Sequence, residues 1–181
     1  THAPVASSAE VRNAAPLLAE AANVVGDQQV RNRGTLGGSL AHADPAGDLP
    51  AAVLALNATM KVVGPNGERT IAAGEFFVDM LTSALEESEI LTEIRIPALP
   101  RGAGSAYLKM DHPASHYALC GVAAIVQLDA DRTIRDIRVA VTGVGSKAYR
   151  ATAVEDALRG LVASEDRKST RLNSSHITIS Y

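Results

Sequence analysis

The chain has 181 residues, 46% of them hydrophobic, and a formal net charge of −3, which suits one good core or two small ones and excludes the basic footprint of a nucleic-acid binder. Its single cysteine, Cys120, can neither close an internal disulfide nor alone hold an iron–sulfur cluster or a structural zinc. The longest apolar runs, around Ala118 to Val126 and Ala51 to Leu56, fall short of the roughly 18 residues that span a membrane, and Thr1-His2-Ala3-Pro4 shows no secretory pattern.

From the N-terminus, Val11, Leu17, Leu18, Ala21, Ala22 and Val25 recur at near-helical spacing. They predict a helix over residues 10 to 25 with Pro16 in its first turn and Gly26 at its end. The block Val30-Arg31-Asn32-Arg33-Gly34-Thr35-Leu36-Gly37-Gly38-Ser39 follows, then Leu40-Ala41-His42-Ala43-Asp44-Pro45-Ala46-Gly47-Asp48-Leu49-Pro50. Its three closely spaced glycines admit positive φ and a close approach of bare amides to a ligand, with Thr35 and Ser39 adding hydroxyls. Such a loop is suited to a ligand with anionic and hydroxyl-rich sections, such as a dinucleotide. A tight turn built from Gly, Asp and Pro explains the same residues, and the spacing is neither G-x-G-x-x-G nor the Walker loop. Arg31 and Arg33 read equally as phosphate ligands or as partners of the aspartates.

Ala51 to Leu56 predicts a short buried helix. Thr59 to Val63 and Arg69 to Ile71 predict a hairpin around Gly64-Pro65-Asn66-Gly67, where Asn-Gly is a strong turn signal. Ala73 to Phe77 reads as a helical turn, and Ile90 to Ile96 as a strand stopped by Pro97. Two prolines and two glycines between Pro97 and Gly104 mark a boundary. Beyond it, Ser105 to Lys109, Ala118 to Leu128 and Thr133 to Thr142 predict a three-stranded meander. Thr152 to Leu161 predicts a helix with Thr152 as N-cap and Glu155 completing a capping box. A meander followed by a helix is an α+β arrangement. Residues 166 to 181 abandon the alanine- and valine-rich texture and read as a non-native or disordered tail.

The wording of Gln29 to Ser39, with Asp44-Pro45 and Asp48-Leu49-Pro50, resembles the second flavin-binding segment of the molybdenum hydroxylase flavoproteins. These are the medium subunits of aerobic carbon monoxide dehydrogenases and the flavin domain of xanthine dehydrogenases. Phe76-Phe77, Glu89-Ile90-Leu91, Ile94-Arg95-Ile96-Pro97, Ser105-Ala106-Tyr107-Leu108-Lys109 and His112-Pro113-Ala114-Ser115 continue the likeness in the same order, over about residues 1 to 163. The resemblance implies an α+β fold: residues 1–98 as the second subdomain of a PCMH-type, vanillyl-alcohol-oxidase-like FAD-binding domain, and 102–163 as the start of a carbon monoxide dehydrogenase flavoprotein C-terminal domain. A first subdomain bearing an Ala-Gly-Gly-x-Ser-Leu loop is expected ahead of Val11 and is not found there, so the N-terminus reads as truncated.

Carried over position by position, the resemblance implies FAD contacts at Thr35, Leu36, Gly37, Gly38 and Ser39, at Asp48 through ligand hydroxyls, at Leu91 beside the ring or its hydroxyl-bearing chain, and at Lys109 as a positive charge in the pocket. With aromatics at only 3%, backbone and aliphatic groups would grip the flavin. Read alone, Leu91 is far more often a core strand residue and Lys109 a solvated surface lysine, while Asp48 is as often a helix cap ahead of Pro50. No catalytic residue and no metal ligand stands out. His112, His116 and Asp111 are grouped, but Pro113 breaks any helical register between them. The resemblance further implies a cytoplasmic heterotrimer, itself dimerised, with [2Fe-2S] clusters on a small subunit and molybdopterin on a large one. A non-catalytic α+β interaction module and a stand-alone FAD oxidoreductase are the alternative readings.

Overall fold

The computed structural model describes residues 1–163. Its first three helices are α1 (His2–Ser7), α2 (Ala9–Ala14) and α3 (Pro16–Asn23). The single helix expected over residues 10 to 25 is therefore two. Ala15 takes φ −142° and ψ 64°, since the residue before a proline is driven out of the helical region, and Pro16 opens α3.

Two further short helices, α4 (Gln28–Arg33) and α5 (Leu36–His42), occupy the segment read as a loop. Each has a side-chain cap. Asp27 accepts from Val30 N–H at 2.9 Å, and Thr35 Oγ1 accepts from Gly38 N–H at 2.9 Å. The expectation of positive φ in the glycine block also fails, because Gly34, Gly37 and Gly38 are all absent from the positive-φ positions. Space is what Gly38 requires: a Cβ there would lie 2.8 Å from Thr35 Oγ1, against the capping bond.

The next helix, α6 (Asp48–Ala55), is buried at all eight residues. Apolar on every side beyond Asp48, it belongs at the centre of the molecule, and Pro50 is tolerated because the first turn needs no intrahelical N–H donor. Strands β1 (Thr59–Gly64) and β2 (Gly67–Ala72) form the expected hairpin, paired Gly64 to Gly67. After the turn α7 (Ala73–Phe76) and a small hairpin of β3 (Phe77–Asp79) and β4 (Thr82–Ser83), strand β5 (Ile90–Arg95) joins β1 to give the order β2-β1-β5.

The remaining strands, β6 (Ala103–Asp111), β7 (Ala118–Leu128), β8 (Ile134–Thr142) and β9 (Tyr149–Arg150), make a second antiparallel sheet in that order, followed by α8 (Thr152–Leu158). The expected α+β meander is present, extended by β9. Thr152 is not the N-cap of α8: Ala151 is, without a side-chain bond. Glu155, 4% exposed, is committed elsewhere, accepting from Val139 N–H at 2.8 Å and bidentately from Arg150 at 2.7 and 2.8 Å.

One face of the second sheet packs on α6 and α3, so a continuous apolar cluster runs from Leu17, Leu49 and Val53 to Ala123, Ile125 and Ala140. The polar contacts across this junction are specific. Thr142 Oγ1 donates to a site shared by Pro45 O at 2.7 Å and Gly47 O at 2.8 Å, and Gly143 N–H bonds Pro45 O at 2.7 Å. The turn entering α6 is thereby fixed from the second sheet. Among the described residues no helix is long and apolar enough to cross a membrane. The 166–181 tail reading lies outside the described residues.

Candidate functional site

Thr35, Gly38, Ser39 and the start of α6 face one cleft of about 480 Å³, a size ordinary for small-molecule sites. Its walls include Val25, Val30, Thr35, Gly38, Ser39 and Asp48, with His116 and Tyr117 from the β6–β7 connection opposite. A smaller concavity of about 260 Å³ between the Gly64–Gly67 turn and residues Glu86–Glu89 holds none of the expected site residues.

Of those residues, Thr35, Gly38, Ser39 and Asp48 line the cleft. Lys109 stands directly behind Asp48, its Nζ donating to Asp48 Oδ2 at 3.0 Å and to Val24 O at 2.9 Å. Leu36, Gly37 and Leu91 form a neighbouring group where α5 meets β5, with Leu91 Cδ2 4.0 Å from the position of a Cβ on Gly37. Two strands thus bring residues to this region, β5 placing Leu91 against α5 and β6 placing Lys109 against the start of α6.

Strand alternation explains Lys109. On β6, Tyr107 and Lys109 point inward while Leu108 and Met110 point outward, 74% and 62% exposed. Lys109 is no surface lysine, since its side chain is only 6% exposed and that of Asp48 5%. Nor does it offer a bare positive charge, because Asp48 balances it. Asp48 also accepts from Tyr107 O–H at 2.7 Å. Burial drives the Asp48 pKa above the usual aspartate value, while the bonds from Tyr107 and Lys109 pull the other way and Asp111 adds repulsion.

Other residues singled out in the sequence have local roles. Arg31 donates to Val25 O at 3.0 Å and Gly26 O at 2.8 Å, closing the turn after α3. Arg33 lines the cleft. Asp44 Oδ1 accepts from Ala46 N–H at 2.9 Å as a turn residue. His112 Nδ1 accepts from the amides of Ala114 and Ser115, and His116 Nδ1 lies 3.1 Å from Asp111. Among the described residues no group of three His, Cys, Asp or Glu side chains could hold a metal.

Three contributors were missed in the sequence. Tyr117, half exposed, gives the cleft an aromatic wall, and His2 lines it after pairing its N–H with Gly34 O at 2.9 Å. Tyr107 was the recoverable one, because it stands two residues from Lys109 and shares its strand face.

Hydroxyls at Thr35 and Ser39, an accepting carboxylate at Asp48, and apolar walls from Val25 and Val30 suit a molecule with hydroxyl-rich and flat apolar parts. Residues 1–99 match the model of the FAD binding domain in molybdopterin dehydrogenase, and residues 105–170 that of the CO dehydrogenase flavoprotein C-terminal domain. The chain belongs to the molybdopterin dehydrogenase FAD-binding family.

Within this family, the chain is 42% identical over 154 residues to the carbon monoxide dehydrogenase medium chain of Hydrogenophaga pseudoflava, covering 85% of this chain and 53% of that one. It is 38% identical over 181 residues to the nicotine 6-hydroxylase medium subunit of Paenarthrobacter nicotinovorans, covering 100% and 63%. A solved structure of the Hydrogenophaga pseudoflava carbon monoxide dehydrogenase, in a form lacking the Mo-pyranopterin moiety, superposes with a TM-score of 0.87 at 42% identity, over 91% of this chain and 57% of that one. The chain therefore spans somewhat over half the length of these relatives. They are subunits of oxidoreductases, and the mixed helix-and-sheet fold is theirs.

Proposed function

We propose that this chain is the part of a molybdenum hydroxylase medium subunit that holds one side of FAD. Residues 1–98 form the second subdomain of the FAD-binding domain and 102–163 the start of the flavoprotein C-terminal domain. When bound, FAD supplies the redox centre through which electrons leave the [2Fe-2S] clusters of a small subunit for an external acceptor. Substrate oxidation belongs to a molybdopterin large subunit, in a cytoplasmic, dimerised heterotrimer. The observation that carries this reading is the meeting of Thr35, Gly38 and Ser39 with Asp48, itself bonded to Lys109, at one cleft, in a chain of an FAD-binding family.

In this reading the chain binds and orients. Thr35 and Ser39 supply hydroxyls, and Leu36 and Gly37 the first-turn backbone N–H groups that α5 itself does not bond. Asp48 accepts hydrogen bonds from ligand hydroxyls. Leu36 and Leu91 give an apolar support at the α5–β5 contact, and Lys109 keeps Asp48 ionised. No side chain is assigned an acid–base step, as expected where the cofactor carries the chemistry.

Titration of the purified chain with FAD, followed by the visible flavin spectrum and by fluorescence, tests this. Saturable binding that Gly37→Leu abolishes is the expected result. Within the chain, a Cβ at Gly37 meets nothing closer than Leu91 Cδ2 at 4.0 Å, an ordinary contact, and circular dichroism of the variant separates ligand exclusion from a loss of fold. An absence of bound FAD favours the interaction-module reading instead.

A further inference from the structure

Tyr107 plays no direct part in the cleft, yet it is held at both ends. Its backbone N–H donates to Glu20 Oε2 of α3 at 3.0 Å, and its hydroxyl donates to Asp48 Oδ1 of α6 at 2.7 Å. The residue is 8% exposed. Its hydroxyl reaches Asp48 by crossing over Gly121 of β7, which is paired with Lys109 in the strand register. A Cβ on Gly121 would collide with the phenolic oxygen and lie 2.7 Å from Thr142 Cγ2. The path from β6 to Asp48 is open because position 121 is glycine.

The two oxygens of Asp48 are thus assigned to different donors, Oδ1 to Tyr107 and Oδ2 to Lys109, whose Nζ is itself fixed on Val24 O. A carboxylate offers about four lone-pair sites. Two remain on a residue that lines the cleft. We propose that Tyr107 is a positioning residue of the flavin pocket, whose hydroxyl holds the Asp48 carboxylate ionised and oriented so that its free lone pairs meet the ligand. This rests on the flavin reading above. Burial alone favours the neutral acid, which would present a donor where ligand hydroxyls need an acceptor. Facing Asp48 are Tyr107, Lys109 and Asp111 from β6, and around the cleft stand His2 from α1, Arg33 from α4, His42 at the end of α5, Asp44 after it, and His116 from the β6–β7 connection.

The test is the pH profile of FAD affinity for the wild-type chain, for Tyr107→Phe, and for the chain carrying 3-fluorotyrosine site-specifically at position 107. Folding of each is followed by circular dichroism. Tyr107→Phe removes a donor to the charged form, so its binding weakens overall and its acid limb moves up by about one pH unit, roughly tenfold in affinity on that limb. The fluorinated phenol is a stronger donor of nearly the same shape, so its acid limb moves down. Opposite shifts support the assignment, and the fluorinated chain alone decides it should Tyr107→Phe fail to fold. A loss in Tyr107→Phe by one constant factor at every pH, or an unmoved limb in the fluorinated chain, overturns it and leaves the flavin reading standing. A wild-type chain that binds no FAD overturns both.

Discussion

Lys109 Nζ and Asp48 Oδ2, 61 positions apart in the chain, meet at 3.0 Å with both side chains almost wholly out of solvent. A buried pair of this kind tolerates the loss of neither member, because the survivor keeps its desolvation cost. Lys109→Met is expected to destabilise the fold by about 3 kcal/mol at neutral pH. Thermal melts at several pH values check this. Burial raises the folded pKa of Asp48, so protonation relieves the stranded carboxylate, and the penalty of Lys109→Met shrinks as pH falls through that value.

The wild-type chain carries the same linkage in milder form. With a folded pKa above the ordinary aspartate value, Asp48 binds a proton more readily folded than unfolded. Its contribution to stability therefore rises as pH falls through the folded pKa and is complete below the unfolded one. Asp48→Asn is expected to remove this component from the pH dependence of urea unfolding.

Glu155 behaves in the opposite sense. Burial pushes its pKa up, but the Arg150 guanidinium and the Val139 N–H outweigh that and hold it below the usual glutamate value. Its stabilisation is full above the unfolded pKa and is lost as pH falls through the lower folded one. Glu155→Ala leaves the part-buried Val139 amide without its partner and frees Arg150, which also bonds Asn57 Oδ1 at 2.7 Å. A loss of about 3 kcal/mol at neutral pH, vanishing in acid, is the expected result in denaturant titrations.

Thr142, fully buried, ties β8 to the turn that enters α6. Thr142→Val keeps the volume and removes the hydroxyl, leaving the carbonyl of Gly47 without this partner. About 1–2 kcal/mol of stability is expected to be lost, with faster hydrogen exchange around Ala46 to Asp48.

Much of the fold was legible because it is periodic. The β1–β2 hairpin and strand β7 show alternation and strong turn residues, and α6 shows as an apolar run. What escaped was short or depended on distant partners. Helices α4 and α5, of six and seven residues, are too brief to display a period, and glycines at 37 and 38 lower helical propensity. Only the caps at Asp27 and Thr35 betray them. The capping box at Thr152 was a local pattern defeated by tertiary demand, since Arg150 and Val139 claim the Glu155 carboxylate. At the site, the glycine block and Asp48 were readable as a segment. The pairing of Asp48 with Lys109 and Tyr107 was not, because it exists only once the second sheet packs on α3 and α6 and brings these β6 side chains to the start of α6.

The most direct measurement is an amide-resolved NMR titration of the ¹⁵N-labelled chain with FAD. Shifts concentrated at Leu36, Gly37, Gly38, Ser39 and Asp48, with the Gly64–Gly67 turn unmoved, are the result expected if FAD lies in the cleft between α5 and α6. Saturable binding that leaves these amides in place, or that instead moves Gly64 to Gly67 and Glu86 to Glu89, would contradict that site.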